Sequence, residues 1–232
     1  MHVVITGATK GIGRAVAEKF AEQGAQLIVC ARNKNDLDNL AHQLKHKYEC
    51  NILPVACDVS EKKQIKAFAR KIKKTWKKLD VLVNNAGLFI PGLVTEEPDG
   101  MMEELMQVNF FSAYYLTREL LELMIPHRTG HIFNMCSVAA LKAYPNGGSY
   151  SIAKHALLGF SRALREELKK HNIRVTTLLP GATYTSSWES SQLPEKRFMD
   201  ARDLAEIIYS IYSLSERTVV EDIVLRPLLG DI

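Results

Sequence analysis

Two side chains four residues apart are the best candidates for chemistry in this sequence. Tyr150 and Lys154 occupy positions i and i+4 of a predicted helix, Tyr150–Lys170, so they share one face of it. A phenol with a pKa near ~10 must lose about three units, at a cost of about 4 kcal/mol, to act as a general acid or base near neutral pH. A neighbouring ammonium and a second bound cation favour the phenolate and can supply this energy.

A serine completes the candidate catalytic set. Ser137 follows the predicted strand His131–Cys136, and its hydroxyl can hold a substrate oxygen by a hydrogen bond. The spacing of Tyr150 and Lys154 alone also fits an ordinary surface aromatic and surface lysine. Together with Ser137 and the glycine-rich turn described next, the pair indicates catalysis.

The glycine-rich turn lies between the predicted strand Val3–Thr6 and the predicted helix Arg14–Gln23. It reads Thr6-Gly7-Ala8-Thr9-Lys10-Gly11-Ile12-Gly13. Glycines there let the backbone approach a pyrophosphate, which the free N–H groups and the dipole of a helix N-terminus attract. An ordinary tight turn is the alternative, but the place of this turn in a β-α-β unit favours a dinucleotide.

The end of the second predicted strand, Gln26–Ala31, suggests which dinucleotide. An NAD site usually has an acid there, against the ribose hydroxyls. This chain instead has Arg32, which can pair with a 2′-phosphate, and Lys10 can add a second charge. Solvent-exposed surface charges are the alternative reading; we favour NADP(H) over NAD(H).

Two further motifs end predicted strands. Asp58 and Val59 end the strand Asn51–Val59; the acid can accept from an adenine amino group, with Val59 packing beside the ring, or cap the next helix, for which Ser60 is the expected N-cap. The sequence Asn84-Asn85-Ala86-Gly87 ends the strand Leu79–Asn84 and can lock adjacent strand ends and line a ribose. A plain turn is the alternative there.

Strands alternate with helices along the whole chain, which predicts a parallel sheet covered on both faces. We therefore expect one domain over residues 1–232, a doubly wound Rossmann-type α/β sandwich with a seven-stranded, mostly parallel sheet. Ligands of such sheets bind at the carboxyl ends of the strands, where all the motifs above fall. The remaining predicted elements are a helix over Leu37–Leu44, a helix around Ile65–Ile72, the long helix Glu103–Met124, the strand Arg174–Leu179, the helix Asp203–Ser213 and the strand Val219–Leu225.

With these motifs in this order, the chain resembles the short-chain dehydrogenase/reductase (SDR) family, in the single-domain branch of 3-oxoacyl-[acyl-carrier-protein] reductases and carbonyl reductases. The motifs are TGATKGIG at 6–13, DV at 58–59, NNAG at 84–87, Asn109 in a V-N pair, Ser137, YSIAK at 150–154 and PGATYT at 180–185. Two departures are Thr183, where Val or Ile is more usual, and a short loop from Ser186 to about Phe198, which suggests an open or shallow pocket.

The resemblance implies a Ser–Tyr–Lys–Asn mechanism. Tyr150 would exchange a proton with the substrate oxygen, Lys154 would lower its pKa and bind the nicotinamide ribose, and Asn109 would hold a water that connects Lys154 to solvent. Pro180 and Gly181 would flank the nicotinamide, with Thr183 and Thr185 near its carboxamide and the phosphates. Motifs and resemblance together give the expected cofactor-binding set: Gly7, Thr9, Lys10, Gly11, Ile12, Gly13, Arg32, Asp58, Val59, Asn85, Ala86, Gly87, Tyr150, Lys154, Pro180, Gly181, Thr183 and Thr185.

Composition narrows the class of protein. The 232 residues are 47% apolar and 24% charged with a net charge of +4, which is typical of a globular domain and demands no nucleic-acid partner. The four cysteines are scattered, so we expect no disulfide scaffold, no zinc site and a reducing cytoplasm. No apolar run is long enough to span a membrane, and we expect neither a targeting leader before the first strand nor a catalytic metal, since the histidines lack metal-ligand spacing.

Two surface features remain. Nine basic residues within 62–78 predict a solvated helix face, although a nucleic-acid patch, with steeply salt-dependent binding, is the alternative. Apolar residues cover much of the helices that carry Asn109 and Tyr150, which predicts a homodimer or homotetramer. They are Phe110, Phe111, Tyr114, Tyr115, Leu157, Leu158 and Phe160.

The resulting hypothesis is a cytoplasmic NADP-dependent oxidoreductase that reduces a small-molecule carbonyl compound, such as a ketone or 3-oxoacyl substrate, or oxidises the alcohol. The alternatives are an NAD-dependent alcohol dehydrogenase and a non-catalytic dinucleotide-sensing protein.

Overall fold

A computed structural model describes residues 1–185, 188 and 191–232. Its centre is a seven-stranded sheet in the order β3-β2-β1-β4-β5-β6-β7, with every strand pair parallel. The predicted doubly wound α/β fold is thereby confirmed. The strands are β1 His2–Thr6, β2 Gln26–Ala31, β3 Ile52–Ala56, β4 Val81–Asn84, β5 His131–Met135, β6 Arg174–Pro180 and β7 Asp222–Leu225.

Helices cover both faces of the sheet. The central strands are almost continuously apolar because both of their faces are buried. One core cluster contains Val16 and Phe20 of the first helix with Ile208 of the last, and the other contains Phe68, Leu120 and Leu164. The helices are α1 Gly11–Glu22, α2 Lys34–Tyr48, α3 Lys62–Thr75, α4 Met101–Met106, α5 Ser112–Leu120, α6 Gly148–Leu168 and α7 Ala201–Tyr212.

The strand order reverses between β1 and β4. From β1 the chain builds outward to β2 and β3, and from β4 it builds the other way to β7. The loops that follow β1 and β4 therefore diverge and leave a crevice at the carboxyl edge of the sheet.

The predicted long helix Glu103–Met124 is wrong as a single α-helix. Helix α4 passes into a π-helical turn, Gln107–Phe111, before α5, and 3₁₀ turns follow α5. Apolar spacing does not reveal one extra residue in a turn, because the inward positions before and after it still look helical. Such π-helical turns are frequent at functional sites.

The expected N-cap at Ser60 is also wrong. Helix α3 begins after Glu61, and Ser60 instead donates its backbone N–H (2.9 Å) and its hydroxyl (2.8 Å) to Asp58 Oδ1. The carboxylate thus holds the turn that leads into α3. Two predicted strands are shorter than expected, since β3 ends at Ala56 and β7 begins at Asp222.

Helix α3 places its apolar residues in the core and its lysines in solvent. Lys73 pairs with Glu119 and Glu122, and the Lys62 ammonium lies 4.3 Å from the centroid of the Tyr115 ring. The basic stretch is therefore an exposed helix face, as expected.

The apolar surface of α6 is smaller than the sequence suggested. Leu157 and Leu158 are buried within the chain, packed with Ala113 and Leu179, so they are not free to form an interface. Phe110, Phe111, Tyr114, Tyr115 and Phe160 remain partly exposed. Within the described part of the chain no helix is long and apolar enough to cross a bilayer.

Candidate active site

A cavity of about 750 Å³ follows the carboxyl edge of the sheet. Arg32 and Asp58, after β2 and β3, line one part of it, and Ser137 and Gly181, after β5 and β6, line another. The cavity therefore extends along the sheet edge from the ends of β3 and β2 to the ends of β5 and β6. Of the predicted site residues, all but Gly13 line this cavity.

The glycine turn packs so closely against neighbouring segments that it leaves no room for side chains at two of its positions. Gly7 and Gly11 have φ of 65° and 51°, where a side chain is strained. A Cβ on Gly11 would lie 2.8 Å from Thr185 Cγ2, and one on Gly7 would lie 3.0 Å from Ala86 Cα. Among the described residues no side chain caps the first turn of α1, so its N–H groups remain available to the phosphates of a ligand.

Gly13 lies beneath the turn rather than in the cavity wall. A Cβ there would come within 2.3 Å of both Gly7 O and Asn85 Nδ2, so only glycine lets the turn pack so closely. The Asn85 amide donates to Thr6 O (2.9 Å) and Gly7 O (3.1 Å), while Thr6 Oγ1 accepts from the N–H groups of Asn85 and Ala86. The predicted locking of adjacent strand ends is thus visible in these bonds.

Two exposed cations stand at the β2 side of the cavity. Lys10 and Arg32 both line it, and neither forms an ion pair within residues 1–185, 188 and 191–232. Asp36, in the first turn of α2, also lines the cavity, and the sequence analysis did not single it out. Asp58 lines it too, although one of its oxygens is already engaged by Ser60.

Helix α6 and strand β5 bring the three catalytic candidates together. Ser137 follows β5, its hydroxyl accepts from Ala139 N at 3.1 Å, and it lines the same cavity as Tyr150. The Lys154 ammonium lies 5.6 Å from the centroid of the Tyr150 ring and donates to Met135 O at 3.0 Å. Lys154 is only 4% exposed, so one carbonyl fixes a buried cation beside the phenol.

The proton affinities differ from the sequence expectation. Burial raises the pKa of Tyr150 to about 12, and the hydrogen bond from Ser137 only partly opposes this rise. Burial also lowers the pKa of Lys154. The chain's own groups therefore keep the phenol protonated, which suits a proton donor. The expected lowering of its pKa needs a bound nicotinamide cation as well as Lys154, and it stays a prediction.

Asn109 lies in the π-helical turn and is almost fully buried. Its amide donates to Leu88 O (2.8 Å) and Leu105 O (3.0 Å), and its Oδ1 accepts from Leu88 N (3.1 Å). Asn109 thus fastens the loop after β4 to the helix beneath it. A Cβ on Gly87 would lie 3.0 Å from Asn109 Oδ1 and 3.4 Å from Lys154 Nζ, so these two polar groups flank the same narrow space.

The segment after β6 forms another wall. Pro180 and Gly181 line the cavity, and Thr183 is buried, with its hydroxyl donating to Gly181 O at 3.2 Å. Thr185 lines the cavity opposite Gly11. The expected short loop over the site includes Ser186, Ser187, Glu189 and Ser190, which lie outside the described residues.

Several lining residues escaped the sequence analysis. Phe89 stands two residues beyond NNAG, Trp188 lies in the irregular stretch, and Tyr144 and Asp231 meet across the cavity mouth through a hydrogen bond of 2.5 Å. Arg197 holds the segment around Asp231 by donating to Gly230 O (3.0 Å) and Asp231 O (2.9 Å). The position of Phe89 was the one available signal, because the other contacts join distant parts of the chain.

Within the described ranges, no group of three or more His, Cys, Asp or Glu side chains is placed to hold a metal ion. Cys136 lies beside the catalytic candidates, but burial raises its pKa to about 11 and its thiol donates to Lys154 O at 3.2 Å. It therefore acts as a packed, protonated thiol.

Comparisons with known proteins place this geometry in a family. The profile of the short chain dehydrogenase family matches residues 1–196. Sepiapterin reductase from Chlorobaculum tepidum is 32% identical over 99% of this chain and 97% of its own length. The chain belongs to the short-chain dehydrogenase/reductase family. It is therefore an SDR oxidoreductase by descent, as the motifs indicated.

Two solved structures of this family share the whole architecture. An alcohol dehydrogenase from Thermococcus sibiricus, complexed with 5-hydroxy-NADP, has a TM-score of 0.93 at 26% identity and covers 100% of this chain and 98% of its own. L-Sorbose reductase from Gluconobacter frateurii, complexed with NADPH and L-sorbose, has a TM-score of 0.90 at 28% identity and covers 97% and 95%.

Proposed function

We propose that this SDR protein is an NADP(H)-dependent oxidoreductase that moves hydride between nicotinamide and a carbonyl or secondary-alcohol carbon, acting in the cell as a ketone or 3-oxoacyl reductase. One observation carries the proposal. Ser137, Tyr150 and Lys154 line the same cavity as Lys10 and Arg32, two cations without an ion-pair partner among the described residues. The same cavity would thus contain both a proton donor for carbonyl reduction and a site for the 2′-phosphate of the cofactor.

The residues present suit NADP(H). The uncapped first turn of α1, with the backbone of Gly7 and Gly11 lining the cavity beside it, suits the pyrophosphate, and Arg32 and Lys10 suit the 2′-phosphate. Asp58 and Val59 would border the adenine, and Pro180, Gly181 and Thr185 the nicotinamide side. The 5-hydroxy-NADP and the NADPH bound in the two solved structures support this choice.

When bound, the cofactor supplies the hydride that reduces the carbonyl carbon. The chain supplies the proton and the orientation. Ser137 would hold the carbonyl oxygen by a hydrogen bond, and Tyr150 would donate its phenolic proton to that oxygen. A phenol that burial keeps protonated is matched to this direction of the reaction.

Lys154 and Asn109 would support Tyr150, the first by its charge and the second by positioning a neighbouring loop. Lys154, held by Met135 O, places its charge beside the Tyr150 ring, where it would stabilise the phenolate left after proton transfer. Asn109, held by the backbone of Leu88, fixes the loop that borders the same space. Because both are buried, water is kept from the phenol on this side.

The decisive experiment mixes the protein with NADPH or NADH and a panel of aldehydes, diketones and 3-oxoacyl thioesters, and follows the absorbance of the reduced cofactor. We expect turnover that favours NADPH, and Arg32→Asp should abolish that preference. Equal use of NADH by the wild type would support an NAD-dependent alcohol dehydrogenase. Tight cofactor binding without turnover across the panel would support a non-catalytic dinucleotide sensor.

We also propose that the chain works as one domain in the reducing cytoplasm and assembles as a homodimer or homotetramer. All four cysteines are free and buried, which suits a reducing compartment. Phe110, Phe111 and Tyr114 form a partly exposed aromatic cluster beside α6 that a second copy would cover. Sedimentation of wild type and Phe111→Ser would test the assembly; a monomeric wild type would reject it.

A further inference from the structure

A row of aromatic rings leads away from the proposed proton donor. The Phe89 ring meets the Tyr150 ring edge-on, with centroids 4.9 Å apart. Phe89 and Trp188 lie nearly parallel, at 24° and 6.3 Å, and Trp188 packs against Phe198 at 5.2 Å. Phe89 and Trp188 both line the cavity, so the row forms one wall of the space next to the reacting phenol.

The first ring of this row is unusually open for its size. Phe89 is 38% exposed although it stands inside the cavity, and Trp188 is half-buried. An exposed aromatic ring gains the most binding free energy when another flat ring covers it. Stacked and edge-on ring pairs contribute free energy beyond that of the surface area they bury. The exposed part of the Phe89 ring is therefore available to a substrate that binds beside Tyr150.

The charged side chains at this end of the cavity offer no partner to an anionic substrate. Two acidic side chains line the cavity away from Asp36 and Asp58: Asp231, whose two oxygens are engaged by the Tyr144 hydroxyl and the Arg226 guanidinium, and Glu104 of α4, which is exposed and would repel an anion. Lys154 is committed to Met135 O. Among the described residues that line the cavity, Lys10 and Arg32 are the other cations, and they follow β1 and β2, whereas Ser137 follows β5.

We propose that the site takes uncharged ketones whose carbonyl is attached to a flat aromatic or conjugated ring, and that Phe89 and Trp188 select them by contact with that ring. The inference rests on the proposed function and narrows its substrate class. In the step itself NADPH gives a hydride to the carbonyl carbon and Tyr150 gives a proton to the oxygen. The products are the secondary alcohol and NADP⁺, and the phenol regains its proton from solvent.

The test compares two ketones of the same carbon number, acetophenone and cyclohexyl methyl ketone, with NADPH. The readout is the ratio of their kcat/KM values in each variant, compared with the same ratio in the wild type. The different intrinsic reactivities of the two ketones cancel in this comparison. Phe89→Leu keeps apolar bulk but removes the ring, and should lower the acetophenone preference by about fivefold, the size of one aromatic contact. Phe89→Tyr should retain it, and Trp188→Leu should reduce it.

The matched control is Tyr184→Leu. Tyr184 is an exposed ring that packs on Phe198 at 5.7 Å but does not line the cavity, so its loss should leave the ratio unchanged. A ratio that stays within about twofold of the wild type in Phe89→Leu, or that falls equally in Tyr184→Leu, overturns the proposal.

A binding measurement separates this inference from the proposed function. The chain has two tryptophans, and Trp76 is buried against His2, away from the cavity. Acetophenone should therefore quench the fluorescence of the NADP⁺-loaded protein saturably, and Trp188→Phe should abolish that component. Saturable quenching without turnover rejects the reductase but keeps the aromatic site. Turnover of both ketones with only linear, non-saturable quenching keeps the reductase and rejects the aromatic site.

Discussion

The carboxylate of Glu97 holds the first turn of the helix that carries Tyr150. Its Oε1 accepts from Ser149 N at 2.9 Å and its Oε2 accepts from the Ser149 hydroxyl. The same loop joins the helix start again where Gly92 N donates to Asn146 O at 3.0 Å. Glu97 therefore couples the loop after β4, which contains Phe89, to the residue next to the proposed proton donor.

The first prediction concerns this coupling. Glu97→Gln replaces one of two acceptors by a donor, so we expect the start of α6 to loosen and kcat to fall roughly tenfold because the phenol is misplaced. The free energy of unfolding should fall by about 1 kcal/mol. Steady-state kinetics and urea denaturation measure the two effects.

The neighbouring Glu96→Gln is the matched control. Its carboxylate is exposed and has no partner among the described residues, so activity and stability should stay at the wild-type values. If both variants keep full kcat, Glu97 does not position α6.

The second prediction concerns the proton donor. Tyr150→Phe removes the hydroxyl and keeps the ring, so kcat/KM for carbonyl reduction should fall by about 10²–10⁴ while cofactor affinity is retained. Tyr114→Phe, which changes a ring outside the cavity, should keep its activity. An active Tyr150→Phe enzyme would remove Tyr150 from the mechanism.

The pH dependence of this tyrosine is the third prediction. Since burial raises the pKa of Tyr150 to about 12, the phenol of the cofactor-free protein stays protonated past the ordinary value of about 10. A difference titration of phenolate absorbance, wild type minus Tyr150→Phe, should therefore show one group ionising above that ordinary value. Ionisation below about pH 9 would contradict the direction of the shift.

The sequence predicted much of this architecture from local signals. Apolar runs such as Val3–Thr6 and Gln26–Ala31 became buried parallel strands, and the motifs at their ends reached one cavity because parallel strands share a carboxyl edge. The proton affinity of Tyr150 was not accessible in this way. Its direction is set by burial, and burial depends on how distant segments close around the ring.

The missed contacts have the same cause. Glu97 meets Ser149 across 52 residues and Tyr144 meets Asp231 across 87, so no short spacing marks them in the chain. The expected N-cap at Ser60 is wrong because the Ser60 N–H and hydroxyl both donate to the Asp58 carboxylate instead. Local propensity favours a cap but does not exclude a competing partner.

A fourth prediction concerns a buried histidine of β5. His131 is fully buried, stacks on Phe133 with centroids 3.9 Å apart, and its Nε2 lies 2.8 Å from Thr176 Oγ1. Burial lowers its pKa from 6.5 to about 2. Below about pH 6.5, His131 binds a proton in the unfolded chain but stays neutral in the folded protein. The free energy of unfolding therefore falls as the pH falls.

Urea denaturation at a series of pH values measures this effect. The wild type should lose about 1.4 kcal/mol per pH unit below pH ~6.5 from this one group, and His131→Asn, which cannot titrate, should lack that contribution. A substitution of the exposed His42 by Gln controls for the number of histidines. Identical slopes in wild type and His131→Asn would refute the assignment.

The fifth prediction concerns the glycine turn. Gly11→Ala places a methyl group 2.8 Å from Thr185 Cγ2 in a left-handed backbone, so the cofactor Kd should rise at least about tenfold. Gly24→Ala meets the same backbone strain at φ 71°, but it lies outside the cavity with no atom within 4 Å, so it is the control for strain away from the cofactor site. Isothermal titration with NADPH measures the Kd of both variants. An equal loss of affinity in Gly24→Ala would mean that the effect of Gly11→Ala is general destabilisation and not a change in the cofactor site.

The π-helical turn at 107–111 sets the rotational phase between the two halves of its helix. An α-helix advances about 100° per residue, so removing one residue from this turn would rotate α4 against α5 by that angle. Leu105 would swing out of the core and Asn109 away from Leu88, although the composition would scarcely change. The extra residue of the π-helical turn thus sets the relative rotation of the two halves of the helix. One half can then bury Leu105 in the core while Asn109 lies at the cavity.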